Sequence, residues 1–168
     1  YPWAGTANVE IELAVFTLMG AKTKWIDLGE EKDIYLARVN WQKPGLLTYQ
    51  WQNRAQTRVE LRQYDIAADD EHVLIVEQHP AWVNLDADIR FINGGEQFIW
   101  ASERDGFKHL YLYRGNGELI RQITSGEWVV DGLEAVDLER DVVYFTGRQD
   151  TVLERHLYQT GLLEETSI

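Results

Sequence analysis

A chain of 168 residues has room for a sizeable core and ordinarily makes one domain. Its net charge of −12 sets it against nucleic acid and anionic membrane surfaces, both of which demand a basic face, so neither is an expected partner. There is no apolar run of about 18 residues to insert in a membrane as a helix, and the absence of cysteine excludes disulfides, iron–sulfur clusters and cysteine-ligated zinc while leaving the compartment open.

In chain order, residues 1–8 are irregular. Tyr1 stands where an initiator Met would, and no basic-then-apolar leader follows, so the sequence reads as a piece cut from something longer. Val9, Ile11, Leu13, Val15 and Phe16 alternate with Glu10 and Glu12 as a strand with one wet face, broken at Met19-Gly20. Residues 25–29 make a short strand or loop. Residues 34–41 make a strand closed by Lys43-Pro44-Gly45. Two strands follow, over 47–51 and 61–65, with a bend at Asn53-Arg54-Ala55-Gln56. An acidic turn, Asp69-Asp70-Glu71, precedes a strand over 73–77 that Pro80 ends. Residues 81–88 read as a loop, and 89–92 as a short extended piece turned at Gly94-Gly95.

Residues 98–113 form the clearest unit: an apolar, aromatic strand, an Asp105-Gly106 turn, and a second strand rich in Tyr and Leu. Residues 119–124 then alternate as a half-buried strand. Residues 133–138 and 143–146 are strands, 157–158 begin another, and 162–168 are expected to be a frayed or truncated tail. No stretch of 12 residues carries a good helical period.

The two-strand unit recurs. Its first strands start at Leu47, Phe98 and Val143, spaced by about 51 and 45 residues; its second strands are anchored at Leu61, Leu110 and Leu157. A repeat of about 40–50 residues built only from strands is the mark of propeller blades. The expected fold is therefore all-β, a partial β-propeller of about three to four blades of four-stranded antiparallel sheet, with residues 1–168 a single piece of one propeller domain. Roughly three blades are expected to be complete, over 34–162, plus strand material from a preceding one. Closed propellers carry about four to eight blades. Open blade faces are expected to make the chain associate with itself or another chain.

Catalytic chemistry is sparse. The three serines, Ser102, Ser125 and Ser167, lie outside any Gly-x-Ser-x-Gly nucleophile elbow. Ser102 beside Glu103 and Arg104 reads as a turn residue. No two of His72, His79, His109 and His156 are spaced i, i+4, and His-Glu-x-x-His is absent. His109, within a strand, reads as structural. Asp69-Asp70-Glu71-His72 lacks calcium-loop spacing and reads as a solvated turn. Gly115-Asn116-Gly117 precedes no helix and is no phosphate loop. Glu103 and Asp105 flank a turn, where capping or an ion pair with Arg104 accounts for them. No catalytic residue, metal site or cofactor is expected in this chain.

Six motifs occur in a telling order: Tyr1-Pro2-x-Ala4-Gly5, Tyr35-Leu36-Ala37-Arg38-Val39-x-Trp41, Asn53-Arg54-x-Gln56, Glu77 ahead of Trp82-Val83, Ser102-Glu103-Arg104-Asp105-Gly106-Phe107-x-His109-Leu110-Tyr111, and Thr124-x-Gly126-x-Trp128. Together they resemble the later blades of the N-terminal β-propeller of the dipeptidyl peptidase IV family of prolyl oligopeptidase-type serine exopeptidases, from residue 1 to about 163. The resemblance implies a parent enzyme that removes N-terminal dipeptides with Pro or Ala second. Its Ser-Asp-His triad would lie on a C-terminal α/β-hydrolase domain absent here, with the propeller gating access and helping position the peptide. This chain alone is then expected to be inactive. Its implied partners are the peptide substrate, the remaining blades and the hydrolase domain.

The family's substrate-amine Glu pair lies upstream in its order, and Glu30-Glu31 and Glu164-Glu165 do not match its context. The resemblance does place a loop near substrate after Trp-Val, giving Trp82, Asn84, Leu85 and Asp86 as candidate substrate-binding residues. Where some members carry an aromatic residue and an Arg, this chain has Leu85 and Asp86 in a shorter loop; the alternative for Trp82 is packing within a blade. Bacterial relatives imply a periplasmic, cell-surface or secreted location. Two other functions stay open: a freestanding propeller scaffold that binds proteins or peptides, and an inactive receptor-like homologue. A Gly-x-Ser-x-Gly stretch farther along the reading frame separates the enzyme from both.

Overall fold

Thirteen strands and no α-helix make up the described residues of the computed structural model, which are 3, 5–85 and 87–163. They form four antiparallel sheets, each a run of consecutive strands. Two compact units, Tyr1–Leu85 and Asp86–Ile168, hold two sheets each.

In the first unit, β1 (Leu13–Thr17) pairs with β2 (Lys22–Ile26). β1 is shorter than the alternation from Val9 predicts. The ladder ends at Leu13↔Ile26, and beyond Ile26 the Gly29 N–H bonds Asp27, so residues 9–12 pair with no strand among the described residues. β3 (Ile34–Lys43), β4 (Leu46–Asn53), β5 (Arg58–Asp65) and β6 (Asp70–Gln78) form a four-stranded meander. β3 carries an irregularity between Ala37 and Asn40, where Arg38 takes a φ of 52° and its carbonyl accepts the Asn40 amide at 2.8 Å. The core joins both sheets: Ile26, Leu28, Ile34, Leu47, Tyr49, Trp51 and Tyr64, with Leu13 and Val15 packed on it. Full burial of each large apolar side chain is worth about 1.5–3 kcal/mol, so this layer holds the two sheets together.

In the second unit, β7 (Arg90–Ile92), β8 (Gln97–Ser102), β9 (His109–Arg114) and β10 (Leu119–Gln122) form the other four-stranded meander. The Asp105-Gly106 turn forms as the sequence predicts. Gly106 sits at φ 98°, a conformation that favours glycine, and its N–H bonds the Glu103 carbonyl at 3.0 Å. The register sets Phe98 opposite Tyr113, their rings stacked at 5.2 Å. β11 (Val130–Asp137), β12 (Val142–Gly147) and β13 (His156–Gly161) make a three-stranded sheet. An apolar layer that includes Ile99, Leu110, Leu112, Val130, Leu133, Val143 and Phe145 joins the two.

Consecutive-strand meanders stacked face to face through apolar layers are the blades of a partial β-propeller. Two of the expected blades are complete and one is short of a strand. Within the described residues nothing pairs with the outer edge of β13, so the third sheet stops at three strands.

Candidate functional site

The candidate site begins at the end of β4. Asn53 closes the strand with an Asx turn: its Oδ1 accepts the N–H groups of Thr57 and Arg58, both at 3.0 Å, and its Nδ2 donates to Thr57 Oγ1 at 3.0 Å. Gln56 adopts a φ of 58° in that turn, and its N–H bonds the Asn53 carbonyl at 2.9 Å. This is the local reason for the Asn53-Arg54-x-Gln56 motif.

The loop after β6 lies against this turn. His79 N–H donates to the Thr57 carbonyl at 3.0 Å, and the His79 ring accepts Ala81 N–H at 3.1 Å. Val83 N–H donates to the Gln56 carbonyl at 2.7 Å, and Gln52 Nε2 donates to the Val83 carbonyl at 3.1 Å. Turn and loop together enclose a solvent-open hollow of about 360 Å³, lined by Gln52, Gln56, Trp82, Val83, Asn84 and Leu85.

The structure thus brings Trp82, Asn84 and Leu85 to one hollow; Asp86 lies outside the described residues. Trp82 is 62% exposed within this chain. None of the described lining residues is charged. The surface offers an indole, two aliphatic side chains and amides, which suit neutral peptide groups and apolar side chains. Sequence reasoning missed the two glutamines. Gln52 is 1% exposed and sits in the buried strand row Thr48-Gln50-Gln52, where polar residues in alternation read as solvent-facing.

The other chemistry-bearing residues are engaged structurally. Ser102 Oγ accepts the backbone N–H and the Nε of Arg104, at 3.2 and 2.9 Å, as a turn residue does. Arg104 lies 4.3 Å over the Tyr111 ring. Burial opposes ionisation of Asp105, but the Gln122 amide at 2.7 Å and the Phe107 N–H outweigh it and hold its carboxyl below the usual range. Of the expected acidic turn only Asp69 stays in the turn, since β6 already begins at Asp70: Asp69 pairs with Lys24 at 3.0 Å and accepts the Tyr64 hydroxyl, while Glu71, on β6, pairs with Arg62 at 3.1 Å and accepts the Tyr49 hydroxyl. Among the described residues no three His, Asp or Glu side chains are gathered as metal ligands. No helix of the described residues is long and apolar enough to cross a membrane.

Fold and hollow together define a β-propeller segment with a neutral, loop-lined recess. The sequence model of the dipeptidyl peptidase IV (DPP IV) N-terminal region matches residues 1–168, and the chain belongs to that family. It is 24% identical over 169 residues to dipeptidyl peptidase 4 of Trichophyton equinum, and 25% identical over 172 residues to a probable dipeptidyl peptidase 4 of Aspergillus flavus. Each alignment covers 96% of this chain and 22% of the relative. The crystal structure of Porphyromonas gingivalis dipeptidyl peptidase 4 superposes with a TM-score of 0.89 at 27% identity, over 99% of this chain and 24% of that one. The chain therefore spans less than a quarter of the length of these relatives.

Proposed function

We propose that this chain is the propeller part of a dipeptidyl peptidase that removes N-terminal dipeptides, with Pro or Ala in second position. In this reading acyl transfer belongs to a serine hydrolase domain outside these 168 residues. The propeller narrows access to that domain and helps hold the peptide. The observation that carries the reading is the Trp82–Leu85 hollow: an exposed indole and neutral amides on a loop braced by the β4–β5 turn, in a fold shared with a solved dipeptidyl peptidase 4. Here Trp82 supplies an apolar face for a substrate side chain, and the uncharged lining imposes no charge on the peptide. By the same reading the parent protein works in the periplasm, at the cell surface or after secretion.

The test compares the product of the full reading frame with the 168-residue chain on a Gly-Pro chromogenic anilide. The full product is expected to cleave it and the chain alone is not. Cleavage by the chain alone, or none by the full product, would overturn the reading.

A further inference from the structure

Trp82 is mostly exposed, so side-chain burial does not hold it in place. Its position depends on the backbone that follows, and the structure ties that backbone at Val83 from both sides. The Val83 N–H donates to the Gln56 carbonyl at 2.7 Å, and the Val83 carbonyl accepts Gln52 Nε2 at 3.1 Å. One hydrogen bond comes from the β4–β5 turn and the other from Gln52 on β4, so the Gln52 bond is the one that ties the loop to the sheet.

Gln52 makes this bond at a cost. It is 1% exposed, and its Oε1 is buried with no hydrogen-bond partner among the described residues. Turning the amide over would oppose two oxygens at Val83, so the observed orientation is the one the loop imposes. A buried acceptor left unpaired costs stability, and an apolar residue of the same shape in the middle of a sheet would avoid that cost. Stability alone therefore does not account for a carboxamide here; the hydrogen bond to the loop does.

We infer that Gln52 is a positioning residue for the peptide-binding hollow, fixing Trp82 through the Val83 peptide group. The inference rests on the reading that this hollow meets substrate. It assigns Gln52 no contact with reacting atoms: the residue acts on substrate binding by removing the freedom of the loop.

The experiment uses the full-length protein carrying this chain. Gln52→Met keeps the volume and removes the donor. Val83 amide exchange is expected to accelerate roughly 3- to 10-fold, the range of one net hydrogen bond, with the β4 and β5 amides unchanged. KM for a hexapeptide substrate rises by a similar factor at unchanged kcat, the sign of lost uniform binding, which a merely structural role would not produce. Trp82→Ala is measured alongside and raises the same KM if the hollow binds peptide. Should Gln52→Met fail to fold, Gln52→Asn keeps the amide but falls short of Val83 and replaces it. If Trp82→Ala raises KM while the Gln52 variant leaves KM or Val83 exchange unchanged, the positioning role is overturned and the site reading stands. If Trp82→Ala leaves KM unchanged, the site reading fails and the positioning role with it.

Discussion

His109 and Thr124 meet at 3.0 Å between Nδ1 and Oγ1, with the His109 side chain wholly buried. The pair belongs to a chain of bonds whose directions are determined by its ends. The Gly126 carbonyl can only accept, so His109 Nε2–H donates to it at 2.9 Å; Nδ1 of the neutral ring then accepts the Thr124 hydroxyl, whose oxygen accepts Leu110 N–H at 3.0 Å. The ring also stands edge-on to Trp128, 5.0 Å away. Two separate sequence motifs, one around His109 and one spanning residues 124–128, are thus a single packed cluster.

His109→Leu is expected to destabilise the protein by about 2–4 kcal/mol, because the Thr124 hydroxyl and the Gly126 carbonyl both lose a buried partner. Urea unfolding followed by tryptophan fluorescence measures this. A loss below about 1 kcal/mol would show that the cluster adapts to an apolar ring replacement.

Gly126→Ala probes the same cluster from the backbone. Gly126 has a φ of 125°, and a Cβ there would stand 2.5 Å from Trp128 Nε1. Trp128 is stacked on Phe145 at 5.8 Å, so its ring cannot swing aside without disturbing that contact. A loss of about 1–3 kcal/mol is expected from backbone strain, with further loss if the ring is displaced. Near-ultraviolet circular dichroism reports the displacement and urea unfolding the stability.

Glu60 is buried between two arginines on β5. Its Oε1 accepts Arg58 Nε and Nη2, both at 2.6 Å, and its Oε2 accepts Arg62 Nε and Nη2, both at 2.7 Å. Arg62 also lies 4.8 Å over the Trp51 ring. Glu60→Ala removes the shared partner and leaves the shielded Arg62 cation with Glu71, the Leu28 carbonyl and the Trp51 ring. Breaking a buried pair from one side costs about 3–5 kcal/mol, and thermal unfolding of Glu60→Ala is expected to show a loss toward the lower end because Arg58 is part-exposed. Restoration by Glu60→Gln to within about 1 kcal/mol of the parent would show that hydrogen bonding, not charge, holds the trio.

These particulars mark what was legible in the sequence. The β8–β9 hairpin was, because Asp105-Gly106 names its turn and aromatic alternation names its faces. The Arg58-x-Glu60-x-Arg62 spacing was legible in principle, since period two sets all three on one face of a strand. Buried Gln50 and Gln52 were not: β4 is covered on both faces, and its polar row reads as wet only if one face meets water. The hollow depends on residues 31 apart in sequence, Gln52 and Val83, which no local pattern joins. Trp82, Asn84 and Leu85 came from family resemblance rather than periodicity.

Stability is expected to fall in acid through two turn carboxylates. The Tyr64 hydroxyl, then the Lys24 ammonium, hold Asp69 below the usual carboxylate value of 3.8, and the Ala68 and Ala67 N–H groups do the same for Asp65. A carboxyl depressed in the folded state binds its proton more readily when unfolded. Its contribution is therefore complete above pH of about 4 and lost as pH falls through the folded value. At the alkaline end Tyr49 is pushed above its usual 10.0 by burial, reinforced by its bond to Glu71, so its contribution is complete below pH 10.0 and lost as pH rises through the folded value. Asp69→Asn is expected to flatten the acid limb of a stability–pH profile and Tyr49→Phe the alkaline limb; unchanged limbs would remove these groups from the account.

The outward face of the β1–β2 sheet bears on association. The register places Ala14, Phe16, Thr23 and Trp25 on one face, opposite the face whose Leu13 and Val15 meet the core. Phe16 is 56% exposed and Trp25 63% exposed, and among the described residues the sheet has two strands, fewer than an isolated sheet needs for stability of its own. An aromatic face on an incomplete sheet is a surface that burial would stabilise. We therefore expect the 168-residue chain, expressed alone, to self-associate in a concentration-dependent way, and Phe16→Ser with Trp25→Ser to shift it toward monomer. Light scattering behind size exclusion measures the mass. A clean monomer of the parent chain at about 100 μM would overturn the expectation, because exposed aromatic area of this kind would then have no measurable affinity for a second copy.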